Sequence, residues 1–403
     1  MNVLVINCGS SSLKFDVLDV DTRDTLAEGH VERIGAVSSL VSVRVGDGKK
    51  TRQSLQASDH TEALQFVMKA LFEGDDRLDA TIDAVGHRVV HGGERFAESV
   101  LIDDEVIDAI RDAFDLAPLH NPANLRGIKA AQAALPDVPH VAVFDTAFHQ
   151  TLPEHAFLYA IPNRLYRRHK IRRYGFHGTS HYYVSRQLYE LAGIDKLDSR
   201  VITAHLGNGC SMAAIRDGRS VDTSMGMTPL AGLVMGTRCG TIDPSIVFDL
   251  VEKEELTLAE VHSMLNRYSG LLGLSGYAAD MRDLLAEADD GDVRCRQAVD
   301  VFCFRAKAYI GQYLASLNGA DALVFTAGIG QNSPRIRAQI CADLDRLGIV
   351  IDPERNAAAV GTAAKISTDD SPVQVWTIPT NEELVIAIDT QKIAQARVQS
   401  PYV

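Results

Sequence analysis

The sequence predicts an α/β protein assembled from two divergent copies of one domain. Three observations predict it. A strand, a glycine–serine turn and a returning strand open the chain. Apolar strands then alternate with a 3.6-residue periodicity through residues 1–150. A second strand, glycine turn and strand begin at Arg200. Alternation of this kind builds a mixed sheet covered by helices, and a restart of the order points to duplication.

Val3–Ile6 reads as the first strand and Lys14–Val20 as the strand that returns from it. Between them, Asn7-Cys8-Gly9-Ser10-Ser11-Ser12 offers backbone N–H groups and three hydroxyls to an oxyanion. It is not a Walker A loop, because Gly-x-x-x-x-Gly-Lys-Ser/Thr does not occur. Leu40–Val45 alternates as a strand. Ser58–Phe72 reads as a helix with Leu64, Val67, Met68 and Leu71 on one face and Gly74 just past its end. A strand follows around Ile82–Gly86. Asn121-Pro122 predicts a helix start, with Asn121 as cap and Pro122 in the first turn. Val138–Phe144 is a short apolar strand that delivers Asp145.

The second copy begins with the strand Arg200–His205, the turn Leu206-Gly207-Asn208-Gly209-Cys210-Ser211 and the strand Met212–Ile215, closed by Asp217-Gly218. A long apolar helix, Val301–Leu317, leads to the strand Ala322–Phe325, the turn Thr326–Asn332 and a helix opened by Ser333-Pro334. The last strand, Val373–Ile378, stops at Pro379, and Thr380 with Glu383 fits a capping box. The closing helix is expected to return to the first domain. The expected domains are residues 1–147 plus 383–403, and 148–382, facing each other across a cleft with a nucleotide turn on one wall.

A chain of 403 residues is too long for one ordinary core, which agrees with two domains. Its formal net charge of −13 opposes binding to nucleic acid or anionic lipid, and demands that any phosphate site be locally basic. The six cysteines are scattered without a Cys-x-x-Cys pair, so no zinc site is expected. No apolar stretch of about 18 residues suggests a membrane span. The amino terminus enters a strand without a basic-then-apolar leader. Reduced thiols in the cytoplasm are the expected setting.

Several residue types point to chemistry with anions. Gly207-Asn208-Gly209 and Gly328-Ile329-Gly330 each follow a strand, where glycine admits close approach of backbone to ligand. Ser333-Pro334 sets a helix amino terminus directly after the second turn, a favourable place for an anion. Arg88, in Gly86-His87-Arg88-Val89-Val90-His91-Gly92-Gly93, and Arg238, in Gly236-Thr237-Arg238-Cys239-Gly240, sit among small residues past strands. Each either clamps a planar anion bidentately or pairs with a structural carboxylate. In Tyr174-Gly175-Phe176-His177-Gly178-Thr179-Ser180-His181 two imidazoles lie four apart, but the Glu of a His-Glu-x-x-His zinc motif is missing. His177 is better placed to donate to a transferring phosphoryl group, and His181 reads as a core or helix-start histidine. Asp145 and Glu382 are poised for Mg²⁺, which accepts one or two carboxylates together with water and phosphate oxygens. Glu383 reads as a cap, and Asp243 as a turn or cap residue.

In order along nearly the whole chain, Asn7-x-Gly-Ser-Ser-Ser-x-Lys14, Gly86–Gly93, Gly175–His181, His205-Leu-Gly-Asn-Gly209 and Pro379-Thr-Asn-Glu-Glu383 resemble the acetokinase family. The resemblance implies two ribonuclease H-like domains of the acetate/sugar kinase, Hsc70 and actin fold. It implies reversible transfer of the ATP γ-phosphoryl group to acetate, giving acetyl phosphate and ADP, by a homodimer using Mg²⁺ or Mn²⁺. By the same resemblance Asn7 and Glu382 hold the metal. Arg88 and Arg238 bind the carboxylate and the developing charge, His177 touches the transferring phosphoryl, and Asp145 is the catalytic acid near the acyl acceptor. Nucleotide contacts are implied for Lys14, with Ser10 and Ser12, for His205, Leu206, Gly207, Asn208 and Gly209, and for Asp280, Met281 and Arg282. They are also implied for Gly328, Ile329, Gly330, Gln331 and Asn332. Val90, Leu119, Phe176 and Pro229 are implied to line a small apolar pocket for the acetate methyl. Gly276-Tyr277-Ala278-Ala279 departs from the family pattern, which there has smaller and more polar residues.

The physical demand fits. A carboxylate is already an anionic nucleophile and needs no strong base, so the task is to bring two anions together in line. A kinase for propionate or another short-chain acid is the nearest alternative, because one methylene is worth only ~1–3 kcal/mol of discrimination. A nucleotide-gated scaffold of the same fold is the alternative from another class, and it leaves Arg88, Arg238 and His177 without a task.

Overall fold

The computed structural model describes residues 1–73, 77–118 and 120–399, and Gly74 and Leu119 of the expectations above lie outside the described residues. The chain divides into two compact units, Met1–Ala147 with Asn381–Val403, and Phe148–Thr380.

The first unit carries a sheet of β1 (Asn2–Cys8), β2 (Ser12–Asp19), β3 (Asp24–Glu32), β4 (Ser39–Val45), β5 (Thr51–Leu55), β6 (Ala84–Val89), β7 (Val100–Leu101) and β8 (His140–Phe144). Their spatial order is β5-β4-β3-β2-β1-β6-β8-β7. β1, β6 and β8 run parallel, while β2 and β3 return antiparallel from β1. All five residues of β8 are buried, the signature of a parallel strand covered on both faces. One face packs Leu4, Ile6, Phe15 and Val17 against Leu64, Val67 and Leu71 of the helix His60–Phe72. The other core cluster sets Val89 and Phe144 with Ile110, Leu125 and Ile128 of the helices Asp104–Asp112 and Asn121–Ala134.

β3 and β5 carry little strand signal in the sequence. β3 points Ala27, Gly29 and Val31 inward, and a Cβ on Gly29 would stand 2.8 Å from the Phe15 ring, so the ring takes the volume that a larger apolar residue would have announced. β5 is an edge strand with a mostly exposed face. The first-helix expectation starts two residues early, because Asp59 accepts from the N–H groups of Thr61 and Glu62 and caps the helix there.

The second unit carries β9 (Arg200–Leu206), β10 (Cys210–Arg216), β11 (Arg219–Thr223), β12 (Ala322–Thr326), β13 (Ala364–Lys365) and β14 (Gln374–Thr377), ordered β11-β10-β9-β12-β14-β13. β9, β12 and β14 are parallel, and β10 and β11 return antiparallel. The sequence β11-β10-β9-β12-β14 therefore repeats β3-β2-β1-β6-β8 strand for strand and sense for sense. This is the duplication predicted from the glycine turns.

Four local expectations are corrected. Asn121 does not cap its helix: its buried side chain accepts from the His91 N–H at 3.1 Å and donates to the His91 carbonyl at 2.9 Å, because that loop would otherwise bury unpaired backbone. Residues 327–332 are not a turn but the helix Ala327–Asn332, entered through Ala327 at φ +63°. The long helix begins at Val293 rather than Val301, since Asp292 caps it by accepting from the Cys295 N–H at 2.8 Å. Finally, Asn381 caps the last helix by accepting from the Leu384 N–H at 2.9 Å, so the Thr380–Glu383 capping box does not form.

Candidate active site

In the first unit, Asn7, Arg88 and Asp145 stand at the carboxyl ends of β1, β6 and β8, three neighbouring parallel strands. This is the end of an open α/β sheet where ligands bind. Arg88 Nε donates to Asp145 Oδ1 at 3.0 Å and Nη2 to Oδ2 at 2.5 Å, a bidentate fork. Arg88 Nη1 donates to Asn7 Oδ1 at 3.4 Å, and Glu382 Oε2 lies 3.9 Å from Nε. Asp145 is fully buried, while the Arg88 side chain keeps a fifth of its surface. Asp145 thus aims Arg88 from behind. Burial alone would lower the guanidinium's proton affinity, but Asp145 and Glu382 outweigh it and hold the affinity above its ordinary value.

Glu382 arrives on the last helix, Glu382–Gln399. That helix packs on β6 where Gly86 has no side chain, and a Cβ there would meet Thr390 Oγ1 at 2.5 Å and Ile386 Cγ2 at 2.7 Å. Burial raises the Glu382 carboxyl to about 7, with Arg88 opposing and Asp145 and Glu383 assisting. Asn7 and Glu382 both approach one guanidinium, Asn7 Oδ1 at Nη1 and Glu382 Oε2 at Nε, and one of them is a carboxylate. Such a sparse oxygen pair suits Mg²⁺. Among the described residues no group of three or more His, Cys, Asp or Glu side chains could hold a metal ion, so a cation here would complete its shell with water and phosphate oxygens.

Lys14 forms an ion pair with Glu383 and lies 3.7 Å from Asp16. Glu383 is therefore the lysine's partner and not a cap. Gly9 closes the serine turn by donating its N–H to the Ser12 carbonyl at 2.9 Å. Asn124 was missed in the sequence. Its amide accepts from the Val90 N–H at 3.1 Å and donates to the Cys8 carbonyl at 2.8 Å, tying the loop after β6 to the end of β1. Two asparagines at i and i+3 on a helix face shared with Leu125 and Ile128 were the available signal. Val90 is buried in this loop.

In the second unit, His177 takes a left-handed conformation, φ +56°, immediately before the helix Gly178–Ala192. Its ring stacks on His205 with centroids 4.1 Å apart. Its Nδ1 pairs with Ser211 Oγ at 2.9 Å. A Cβ on Gly209 would lie 3.4 Å from His177 Nε2 and 3.7 Å from Arg238 Nη1, so this glycine separates the two groups with its backbone alone. Arg238 Nη1 donates to the Pro229 carbonyl at 3.1 Å. Phe176 is buried, and its carbonyl pairs with His149 Nε2 at 3.1 Å. His181 is a fully buried core histidine, as expected, and burial, with His149 and His205 nearby, holds it well below the usual imidazole range. Asp243 accepts from the Ser245 N–H at 2.9 Å, the turn role expected of it.

A cavity of about 760 Å³ opens in this unit against the β9–β10 turn. Gly207 and Asn208 line it from the turn, Asp280, Met281 and Arg282 from one helix start, and Gly328, Ile329 and Asn332 from another. His205, Leu206, Gly209, Gly330 and Gln331 are not among its walls; Gly330 instead receives the buried Arg337 Nη1 on its carbonyl at 2.9 Å. Asp280 caps the helix Met281–Asp289 and pairs with Arg282 Nη2 at 2.6 Å. Ala279 lines the cavity, while Tyr277, in the atypical stretch, turns its hydroxyl to Glu287 at 3.1 Å. Arg335 was not anticipated; it lines the cavity and pairs with Asp289 at 2.7 Å.

The sequence profile of the acetokinase family matches residues 2–388. The chain belongs to the acetokinase family. It is 53% identical over 400 residues to an acetate kinase of Fervidobacterium nodosum, covering 98% of each chain. The crystal structure of an acetate kinase from Porphyromonas gingivalis superposes with a TM-score of 0.93 at 44% identity, covering 97% of this chain and 99% of that one. A propionate kinase from Francisella tularensis superposes with a TM-score of 0.92 at 43% identity and the same coverage. Membership extends across both units, so the carboxylate–arginine cluster of one and the cavity of the other both lie within the family's match.

Proposed function

We propose that this member of the acetokinase family transfers the terminal phosphoryl group of ATP reversibly to acetate. The observation that carries the reading is full-length kinship at 53% identity with an acetate kinase. The site chemistry supports it. A carboxylate oxygen of acetate attacks the γ-phosphorus, the bond to the bridging oxygen of ADP breaks, and no proton need move. Arg88, aimed by Asp145, binds the incoming carboxylate. Arg238 binds the transferring group, and His177 donates a hydrogen bond to it, so charge is met as it develops. The glycine turn and helix amino termini around the cavity take the nucleotide phosphates. Asn7 and Glu382 would hold Mg²⁺ or Mn²⁺, which when bound neutralises phosphate charge. Val90, buried in the loop after β6, bounds the methyl group.

A second reading is favoured by one observation: the propionate kinase superposes as well as the acetate kinase. Trapping the acyl phosphate with hydroxylamine at varied acid concentration distinguishes them. We expect kcat/KM for acetate to exceed that for propionate by about 10-fold, the worth of one methylene in an apolar pocket. A ratio at or below unity assigns the chain to propionate, and absence of hydroxamate while ATP binds removes the kinase reading.

A homodimer is part of the proposal. The helix Ser245–Lys253 contains Ile246, Val247, Phe248 and Leu250 yet has no buried residue, and Leu258 on the next helix is 70% exposed. Sedimentation at micromolar concentration is expected to give twice 43.8 kDa, and a single-chain mass throughout would sink the dimer. No helix among the described residues is long and apolar enough to cross a membrane. The six cysteines are unpaired, which supports a reducing, cytoplasmic setting.

A further inference from the structure

Four imidazoles gather in the second unit, and two of them share one hydroxyl. His177 Nδ1 lies 2.9 Å from Ser211 Oγ, and His181 Nε2 lies 2.8 Å from the same oxygen. The other nitrogen of His181, Nδ1, lies 2.7 Å from Thr203 Oγ1. Thr203, His181 and Ser211 are all fully buried. A neutral imidazole has one N–H and one lone pair, and a hydroxyl has one proton. The chain from Thr203 to His177 can therefore run in two senses, and the remaining arrangement, in which Ser211 accepts from both imidazoles, leaves its own buried proton unpaired. In the first, Thr203 donates to His181 Nδ1, His181 Nε2–H donates to Ser211, and Ser211 donates to His177 Nδ1. Every proton is used, and His177 is left with its own proton on Nε2. In the reverse sense His177 carries its proton on Nδ1, and the Thr203 hydroxyl becomes an acceptor. Its proton then needs another acceptor. Thr203 Oγ1 meets none among the described residues, and a buried unpaired donor costs about 1–3 kcal/mol.

We propose that Thr203, His181 and Ser211 form a directional hydrogen-bond relay that fixes the His177 proton on Nε2, the nitrogen nearer Gly209. Thr203 and Ser211 are thereby positioning residues for a phosphoryl donor. Its link to catalysis rests on the reading of His177 above; the wiring itself does not. A lone pair in place of that N–H would face the phosphoryl oxygens and repel them. The low proton affinity of His181 agrees, since a cationic His181 would donate from both nitrogens and lose the sense of the chain.

The test is ¹⁵N NMR of histidine-labelled protein, with the His177 signal assigned by its loss in His177→Ala. We expect wild-type His177 to be protonated on Nε2 and bare on Nδ1. Thr203→Val, which keeps the shape and removes the hydroxyl, should populate the Nδ1-protonated form and lower kcat about 10-fold, with KM for ATP within about 2-fold. Thr203→Ser should restore both. Ser211→Ala should lower kcat by about 10- to 100-fold. Wild-type His177 protonated on Nδ1 overturns the relay. So does a Thr203→Val protein with unchanged tautomer and rate, or a Thr203→Ser protein as impaired as Thr203→Val. Wild-type turnover by His177→Ala would instead refute the role of His177 in transfer, while the tautomer measurement still decides the wiring.

Discussion

Arg88→Ala is expected to lower kcat for acetyl phosphate formation on the order of 10³-fold, the effect of an arginine that neutralises charge during phosphoryl transfer. The variant also leaves Asp145 buried without its fork and Glu382 facing it across the vacated site. Removing one partner of a buried ion pair costs roughly 3–5 kcal/mol, so the melting temperature should fall as well. The two effects can be separated. Arg88→Ala combined with Asp145→Ala removes both charges and should recover most of the stability with none of the rate. Arg88→Lys keeps the charge without the bidentate geometry and should fall between wild type and Arg88→Ala. Arg238→Ala is expected to lower turnover to a similar extent. Wild-type rates from either alanine variant, in the hydroxamate assay at saturating acetate, would falsify the anion-clamping roles.

Glu382→Gln is expected to stabilise the first unit at alkaline pH while removing most of the activity. The sign follows from the carboxyl being raised by burial to about 7 in the folded protein, against an ordinary value of 4.5. Between those two pH values the folded state keeps a proton that the unfolded chain has released. Stability therefore falls as pH rises through this window, and above about 7 the full cost of the ionised carboxylate is present. That cost is at most roughly 3 kcal/mol, since a tenfold change in proton affinity corresponds to about 1.4 kcal/mol. Glutamine keeps the shape and removes the ionisation. At pH 8 its melting temperature should exceed that of wild type by about 2–4 °C per kcal/mol, and the gap should close towards pH 4.5. The groups facing Glu382 are Arg88, Asp145, Glu383 and Lys14, so the same titration should govern activity. Turnover should rise with pH as Glu382 ionises and can attract a cation, and Glu382→Gln should lack that rise. A Gln variant less stable than wild type at pH 8, or one with normal magnesium-dependent turnover, contradicts the assignment. Asp16, raised by burial to about 6 despite Lys14, titrates in the same network and should persist in the Gln variant.

The two predictions depend on groups that differ in how visible they are in the sequence. Arg88, Asp145 and Glu382 sit at positions with a local signature: an arginine among small residues, an acid ending an apolar strand, an acid opening a helix. Each signature reports only its own neighbourhood. That Asp145 holds Arg88 bidentately, and that burial raises Glu382, depend on strands and a helix from opposite ends of the chain. Lys14 shows the limit. Its ion pair with Glu383 leaves no trace in the motif.

Architecture and kinship were legible in the chain alone. Strands, long helices and the restart at Arg200 follow from apolar periodicity, which local chemistry writes directly, and the family motifs lie in order along the chain. Three-dimensional packing, by contrast, settled which polar side chains serve as caps and which serve as long-range partners. Asn121 and Glu383 looked like caps because a cap is a local preference worth about 1 kcal/mol. For Asn121, burial beside an unpaired backbone amide outweighs that preference; for Glu383, Asn381 already fills the cap and the carboxylate turns to Lys14. Packing likewise determined that Ser211 joins two histidines, because a hydroxyl's partners are set by which strand its helix neighbours pack against, and no spacing along the chain records that.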